Sequence, residues 1–201
     1  MDGSTESQIV SRVKKARRGS VFFIDSFSSV ANPKSVNKAL ERLTKSGEFQ
    51  RVATGIYVRP VQDKVIGTVL PGIDEIAAAI AKRDKARIVP TGSYALYKLG
   101  LTTQVPMNAV YYTDASGRKV QIGRQTITFK KASAKQVAAI GAISKLAIQA
   151  LRTIGKDNVT DEELQKIREL LKNEKPYQLQ HDLKLAPEWI RKLLDVQKPD
   201  A

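Results

Sequence analysis

The stretch SVFFIDSFSSVANPKSVNKALERLTKSGEFQRVATGIYVRP, residues 20–60, decides the reading of this chain. At its centre Ala31-Asn32-Pro33 makes a sharp break. Asn is a strong helix N-cap and Pro is favoured at the first helical position, so a helix begins at Pro33. Val36, Ala39, Leu40 and Leu43 fall at i, i+3, i+4 and i+7, which gives that helix one apolar face. Its other face carries Lys34, Ser35, Asn37, Lys38, Glu41 and Arg42, and Gly47 closes it. Phe49, Val52, Ile56 and Val58 then read as two strands joined at Thr54-Gly55, a hairpin signal. Arg51, Tyr57 and Arg59 decorate this hairpin.

Working outward, an earlier helix starts at Ser4 or Thr5, with Glu6 in the first turn, where the helix dipole favours a negative charge. Ile9, Val10, Val13 and Ala16 form its apolar face, Lys14, Lys15, Arg17 and Arg18 crowd its end, and Gly19 is placed to terminate it. Val21-Phe22-Phe23 reads as a short strand, and Asp25 as the cap of a second helix with Phe27 and Val30 facing inward. Helix, strand, helix, Asn-Pro turn, basic helix and hairpin follow one another in the layout of a winged helix-turn-helix module. The side chains suit duplex DNA. A helix in the major groove reaches base edges with short polar or forked side chains near its start, and Lys34, Ser35, Asn37 and Lys38 are of that kind. Backbone N–H groups at the helix start offer a phosphate site. Arg42, Arg51, Thr54 and Arg59 suit phosphate or minor-groove contact.

Charge supports a polyanion partner. The net charge is +14 over 201 residues. Residues 1–60 hold 11 Lys/Arg against 5 Asp/Glu, residues 61–135 hold 12 against 5, and residues 136–201 hold 11 against 10. The excess therefore lies in the first two thirds, which a general solubility charge does not explain. Cysteine is absent, which excludes disulfides and cysteine-ligated zinc. The polar N-terminus lacks a signal-peptide apolar region. The most apolar run, 137–151, includes Lys145 and is too short for an ordinary span. No membrane association and a cytoplasmic location are expected.

Beyond Pro60, a linker-like strand region leads to a short helix with Ile73, Ile76, Ala77 and Ile80 inward. Ile88-Val89, Ala109 to Tyr112, Val120 to Ile122 and Thr126 to Phe129 read as strands, with a short helix from Gly92 to Leu99. A long helix over 134–153, apolar almost all round, is expected to be buried. Thr160 and Glu163 form a capping box for a charged helix running to about Lys172. Leu179, Leu183 and Leu185 mark another helix, and Pro187 opens the last, with Trp189, Ile190 and Leu193 inward. The expected fold is α+β: a winged helix-turn-helix domain over 1–60, a small, mainly antiparallel α/β unit over 61–135, and a helical C-terminal part over 136–201.

No catalytic constellation emerges. Thr91-Gly92-Ser93 is the kind of Gly-Ser pair with which nucleotidyltransferases open a helix, but that chemistry needs two or three clustered carboxylates for magnesium. The strand at 109–113 is followed by Asp114 alone, and Asp74 and Glu75 lie on another helix. The pair reads as a helix cap. His181 is the only histidine, and with Asp182 beside it no nucleophile triad can be argued. Tyr94, Tyr97, Tyr111 and Tyr112 offer rings for base stacking, though their spacing assigns at least half of them to packing. No enzyme activity, cofactor or metal is expected.

The chain as a whole resembles the AbiEi-type antitoxins of bacterial type IV toxin–antitoxin, or abortive infection, systems with a short N-terminal winged helix. The matching segments are RRGSVFFIDSF, VNKALERLTKSGEFQRVATGIYVRP, TGSYALYKLGLTTQVP, VYYTDASGRKVQIGRQTITFKK and LKLAPEWIRKLL, in that order over most of residues 17–194. The resemblance implies an N-terminal domain that binds double-stranded DNA at its own promoter and an antitoxin domain over 61–201. It implies a nucleotidyltransferase-like toxin as functional partner, without a stable complex. The expectation is a DNA-binding antitoxin and transcriptional autorepressor, with a homodimer on the DNA allowed. The alternative is a stand-alone winged-helix transcriptional regulator without a toxin.

Overall fold

The computed structural model describes residues 4–195, so the outermost parts of the first and last expected segments, 1–3 and 196–201, lie outside the described residues. The fold is α+β, and the chain divides into two units, 1–79 with 121–123, and 80–120 with 124–201.

In the first unit, α1 (Thr5–Lys14) is capped by Ser4, whose hydroxyl accepts from the Ser7 amide at 3.2 Å. It ends at Lys14, short of the expected Gly19; that glycine, at φ 83°, instead turns the chain into β1 (Val21–Phe23). The second helix is reduced to one 3-10 turn, Ile24–Phe27. Asp25 lies inside that turn rather than capping it, because the Ser26 hydroxyl takes the Phe23 amide at 3.0 Å. Next, α2 (Pro33–Lys45) begins at the Asn32 cap as expected. Then β2 (Gln50–Ala53) and β3 (Ile56–Val58) form the hairpin, with Gly55 at φ 71° in its turn. β1 and β2 both pair antiparallel with β3, giving the order β1-β3-β2. Three helical segments on such a sheet have the topology of a winged helix.

Its core is built by Ile9, Val13, Phe27, Val36, Leu40 and Phe49, all buried. Burial of each large aliphatic or aromatic side chain stabilises by about 1.5–3 kcal/mol. Phe22 joins the core through ring contacts at 5.8 Å to both Phe27 and Phe49. The region expected as a linker-like strand segment folds into a hairpin, β4 (Val61–Asp63) and β5 (Gly67–Val69). One Asp63 oxygen accepts from the amides of Val65 and Ile66 at 2.8 and 3.1 Å, fixing the turn. After it comes α3 (Ile73–Arg83), whose residues up to Ala79 belong to this unit.

In the second unit, apart from the last two residues of β8, β6 (Ile88–Pro90), α4 (Ser93–Lys98), β7 (Asn108–Thr113), β8 (Arg118–Ile122) and β9 (Gln125–Lys131) build a sheet of order β6-β7-β9-β8 with one short helix. β6 runs antiparallel to β7, but β7 and β9 are parallel, because β9 turns back from the edge strand β8 and inserts beside β7. Gly92 is the N-cap of α4 and Thr91 is buried against Gln149, so the Thr-Gly-Ser segment closes a helix end. Tyr94, Tyr111 and Phe129 pack ring on ring inside.

The helices α5 (Ser144–Ile154), α6 (Asp161–Leu171), α7 (Pro176–Leu185) and α8 (Glu188–Leu194) complete the unit. Thr160 and Glu163 form the expected capping box of α6. Residues 134–143, expected within one long helix, form turns instead, and α5 starts only at Ser144. Two buried carboxylates cause this. Asp182 accepts from the amides of Ile140 and Gly141 at 2.8 and 2.9 Å, and Glu174 from those of Ile143 and Ser144 at 2.6 and 3.0 Å. Glu174 satisfies donors at the helix start, and Asp182 holds the turn three to four residues ahead of it. Ile190 and Leu194 are the buried residues of α8, whereas Trp189 and Leu193, expected inward, are only half-buried. Among the described residues no helix is long and apolar enough to cross a membrane.

Candidate nucleic-acid interface

Because Val36, Ala39, Leu40 and Leu43 turn α2's apolar face into the core, its opposite face is left to solvent. Lys34, Asn37, Lys38, Glu41, Arg42 and Lys45 are exposed there, and Ser35 is half-buried. The start of α2 is not an open phosphate site. The Asn32 side chain already accepts the Ser35 amide at 2.9 Å, and Pro33 has no N–H to offer.

The hairpin completes a groove with this face. A cavity of about 540 Å³ is lined by Asn37, Glu41, Thr44 and Lys45 of α2, by Arg51 and Thr54 of the hairpin, and by Tyr57. Of the residues singled out in the sequence, Asn37, Arg51 and Thr54 are therefore brought together. Lys34, Ser35 and Lys38 precede or flank the groove on the same helix without lining it. Arg59 stands past the end of β3, where its backbone pairs with Gly19 and Ser20, so it is not at the hairpin turn.

Arg42 is differently engaged. Its guanidinium lies 2.8 Å from the Glu6 carboxylate and its Nε donates to the Lys38 carbonyl at 3.4 Å. The ion pair bolts the exposed side of α2 to α1 and competes with any phosphate for the same cation. A second local pair, Lys45 with Glu41 at 3.1 Å, spans one helical turn inside the groove. Glu41, Thr44 and Lys45 were missed as site residues, although they follow Asn37 at i+4, i+7 and i+8 and so share its face. A carboxylate there repels phosphate and matches the cytosine amino group.

His181, Asp182 and Ser144 do meet in space, but around a helix start. His181 Nδ1 lies 2.8 Å from Asp182 Oδ1, and the Ser144 hydroxyl donates to Asp182 Oδ2 at 2.6 Å. Burial would raise the Asp182 carboxyl, but hydrogen bonds from Ser144, His181 and the amides of Ile140 and Gly141 outweigh it and hold the group below its ordinary value. The Ser144 hydroxyl is buried and committed to this acceptor, so it has no path to a substrate. Among the described residues no group of three or more His, Asp or Glu is placed to hold a metal ion.

The winged-helix topology and its groove define a small α+β protein with an exposed basic helix. The chain belongs to the family of unknown function DUF6088, whose sequence pattern matches residues 8–179. No curated protein matches it in sequence. Among solved structures it is similar to the RV2827C protein from Mycobacterium tuberculosis, at 12% identity and a TM-score of 0.47, with 99% of this chain and 83% of that one covered.

Proposed function

We propose that this chain is a sequence-specific regulator that binds duplex DNA through the outward face of α2 and the β2–β3 hairpin. The observation that carries the reading is the shared groove, in which Asn37, Glu41 and Lys45 of the helix face Arg51 and Thr54 of the hairpin. A helix seated in the major groove sets such polar side chains against base edges, with Asn suited to adenine and a carboxylate to cytosine. The hairpin arginine and the flanking Lys34 and Lys38 neutralise phosphates and fix the register. Lys14, Lys15, Arg17 and Arg18 keep the same unit basic.

A titration of the whole chain against its upstream DNA at several salt concentrations tests this. Each phosphate contact adds about 0.9 to the log–log salt slope. Replacing Lys34, Lys38 and Arg51 together by Ala should therefore flatten the slope by roughly 2 to 3. An unchanged slope would contradict the assignment.

The resemblance to AbiEi-type antitoxins extends the reading. The regulated promoter is then the chain's own, the site of action is the cytoplasm, and the remainder of the chain, 61–201, opposes a nucleotidyltransferase-like toxin without catalysis or a stable complex. Co-expression of the toxin gene beside it with a K34A/K38A chain separates the roles. Rescue of growth supports a protective activity independent of DNA binding, and loss of rescue assigns protection to promoter repression. Absence of any toxin gene beside it would favour a stand-alone regulator.

A further inference from the structure

A second basic surface lies at one end of the four-stranded sheet, wholly within the second unit. The pairing fixes its geometry. Ile88 of β6 sits opposite Thr113 of β7, and Thr113 opposite Lys131 of β9, so these three strands finish in one row. Lys130 is one step back, opposite Tyr112. Just before β6 come Lys85 and Arg87, and at the start of β8 come Arg118 and Lys119. Neighbouring strands lie about 4.8 Å apart, so these cations share one end of the sheet, with Lys130 and Lys131 leaving β9 toward opposite faces.

The two carboxylates at this end are already spent on arginines. Asp84 binds Arg83 and Arg118, whose guanidinium also lies 5.6 Å from the centre of the Phe129 ring. Asp114 accepts from the Arg87 amide at 2.8 Å and pairs with its guanidinium at 3.4 Å. Lys85, Lys119, Lys130 and Lys131 are exposed and have no ion-pair partner among the described residues. Like charges gathered without partners repel one another, and nothing in the packing requires them.

Lys85 adds an independent observation. The chain leaves α3 through a closing turn in which the Lys85 amide bonds the Lys82 carbonyl and the Ala86 amide bonds the Ala81 carbonyl. That pattern puts its first residue past the cap in the left-handed region, where glycine is normally found. Lys85 is the one non-glycine residue with positive φ, 54°, among the described residues. A lysine thus holds a strained position whose backbone role glycine fills better.

We infer that this sheet end is a nucleic-acid phosphate surface, separate from the α2 groove, on which Lys85, Lys119, Lys130 and Lys131 contact the backbone of duplex DNA without reading its sequence. Duplex is favoured over single strands because Tyr94, Tyr111 and Phe129 stack on one another inside the unit. The surface offers charge and, in the half-buried Tyr112 opposite Lys130, a single ring and not a platform for successive bases.

The experiment is fluorescence anisotropy of the whole chain on a random-sequence 20-base-pair duplex across a salt series, for wild type, K119A/K130A/K131A, K85G and K34A/K38A/R51A. The triple sheet-end variant should flatten the log–log slope by about 2 to 3, and K85G by about 1. K85G should melt no lower than wild type, which separates lost binding from lost folding. Both effects should persist in the K34A/K38A/R51A background, so failure of the α2 reading leaves this one standing, and the converse. An unchanged slope in both sheet-end variants would overturn the inference. So would displacement of the duplex by polyglutamate as effective as by unlabelled DNA, which would assign the surface to an acidic protein.

Discussion

The Ser144 hydroxyl donates to the Asp182 carboxylate at 2.6 Å, joining the first residue of α5 to the middle of α7 across 38 positions of sequence. That bond belongs to a clamp in which two buried carboxylates hold the chain into α5, Asp182 at the amides of Ile140 and Gly141 and Glu174 at those of Ile143 and Ser144. Buried polar groups so fully used specify one arrangement of the chain. The helical unit therefore depends on a polar joint as well as on its Ile148, Leu151, Ile167 and Ile190 core.

Gly141 is the tightest point of this joint. A Cβ there would collide with the Ser144 hydroxyl and meet the Glu174 carboxylate at 2.6 Å. Gly141→Ala should lower unfolding free energy by about 1–3 kcal/mol through overpacking. Urea denaturation checks it, and a midpoint equal to wild type would show that the clamp opens without cost.

The clamp also sets a pH dependence. Its hydrogen bonds hold the Asp182 carboxyl below its ordinary value in the folded chain. A depressed folded-state value contributes stability that is fully present above the unfolded value of about 3.9. That contribution is lost as pH falls through the lower, folded value. Asp182→Asn should cost about 1–3 kcal/mol at neutral pH. It should also shrink the loss of stability between about pH 5 and the acid limit. Denaturant midpoints for both chains at several pH values measure this, and parallel acid limbs would remove Asp182 from the account.

The sequence made much of the first unit legible. Asn32-Pro33, the spacing of Val36 to Leu43, and Thr54-Gly55 are local signals, and each produced the element it encodes. Local signals did not reveal Arg42's partner, since Glu6 approaches from another helix. Neither did they reveal the late start of α5. Residues 134–153 carry a helical apolar pattern throughout, and the carboxylates that delay the helix to Ser144 come from 30 or more positions away. The segment beyond Pro60 reads as linker-like strand, and it forms a hairpin of two largely exposed strands of three residues each. The parallel β7–β9 pair needed a strand insertion that periodicity does not encode.

The Glu6–Arg42 pair offers a test of competition at the interface. Glu6→Gln should cost less than about 1 kcal/mol of stability, as surface pairs generally do. It should free Arg42 for phosphate and steepen the log–log salt slope by about 0.9. A stability loss with no change in slope would keep Arg42 as a bolt between helices and remove it from the DNA contacts.

Base reading and positioning should separate by residue. Asn37→Ala should lose about 1–3 kcal/mol at one base pair of the operator and little elsewhere. Arg51→Ala should weaken all sequences nearly alike. Competition among singly mutated operators distinguishes the two, and a uniform loss for Asn37→Ala would move that residue out of base contact.

The most direct measurement is competition between the chain's own upstream duplex and a scrambled duplex of the same length and composition, at one fixed physiological salt concentration. With Asn37, Glu41 and Lys45 reading bases from α2, the upstream duplex should be preferred by roughly a thousandfold or more. An N37A/E41A chain should lose most of that preference while still binding both duplexes. Equal affinity of the wild-type chain for the two duplexes would contradict sequence-specific recognition by this groove.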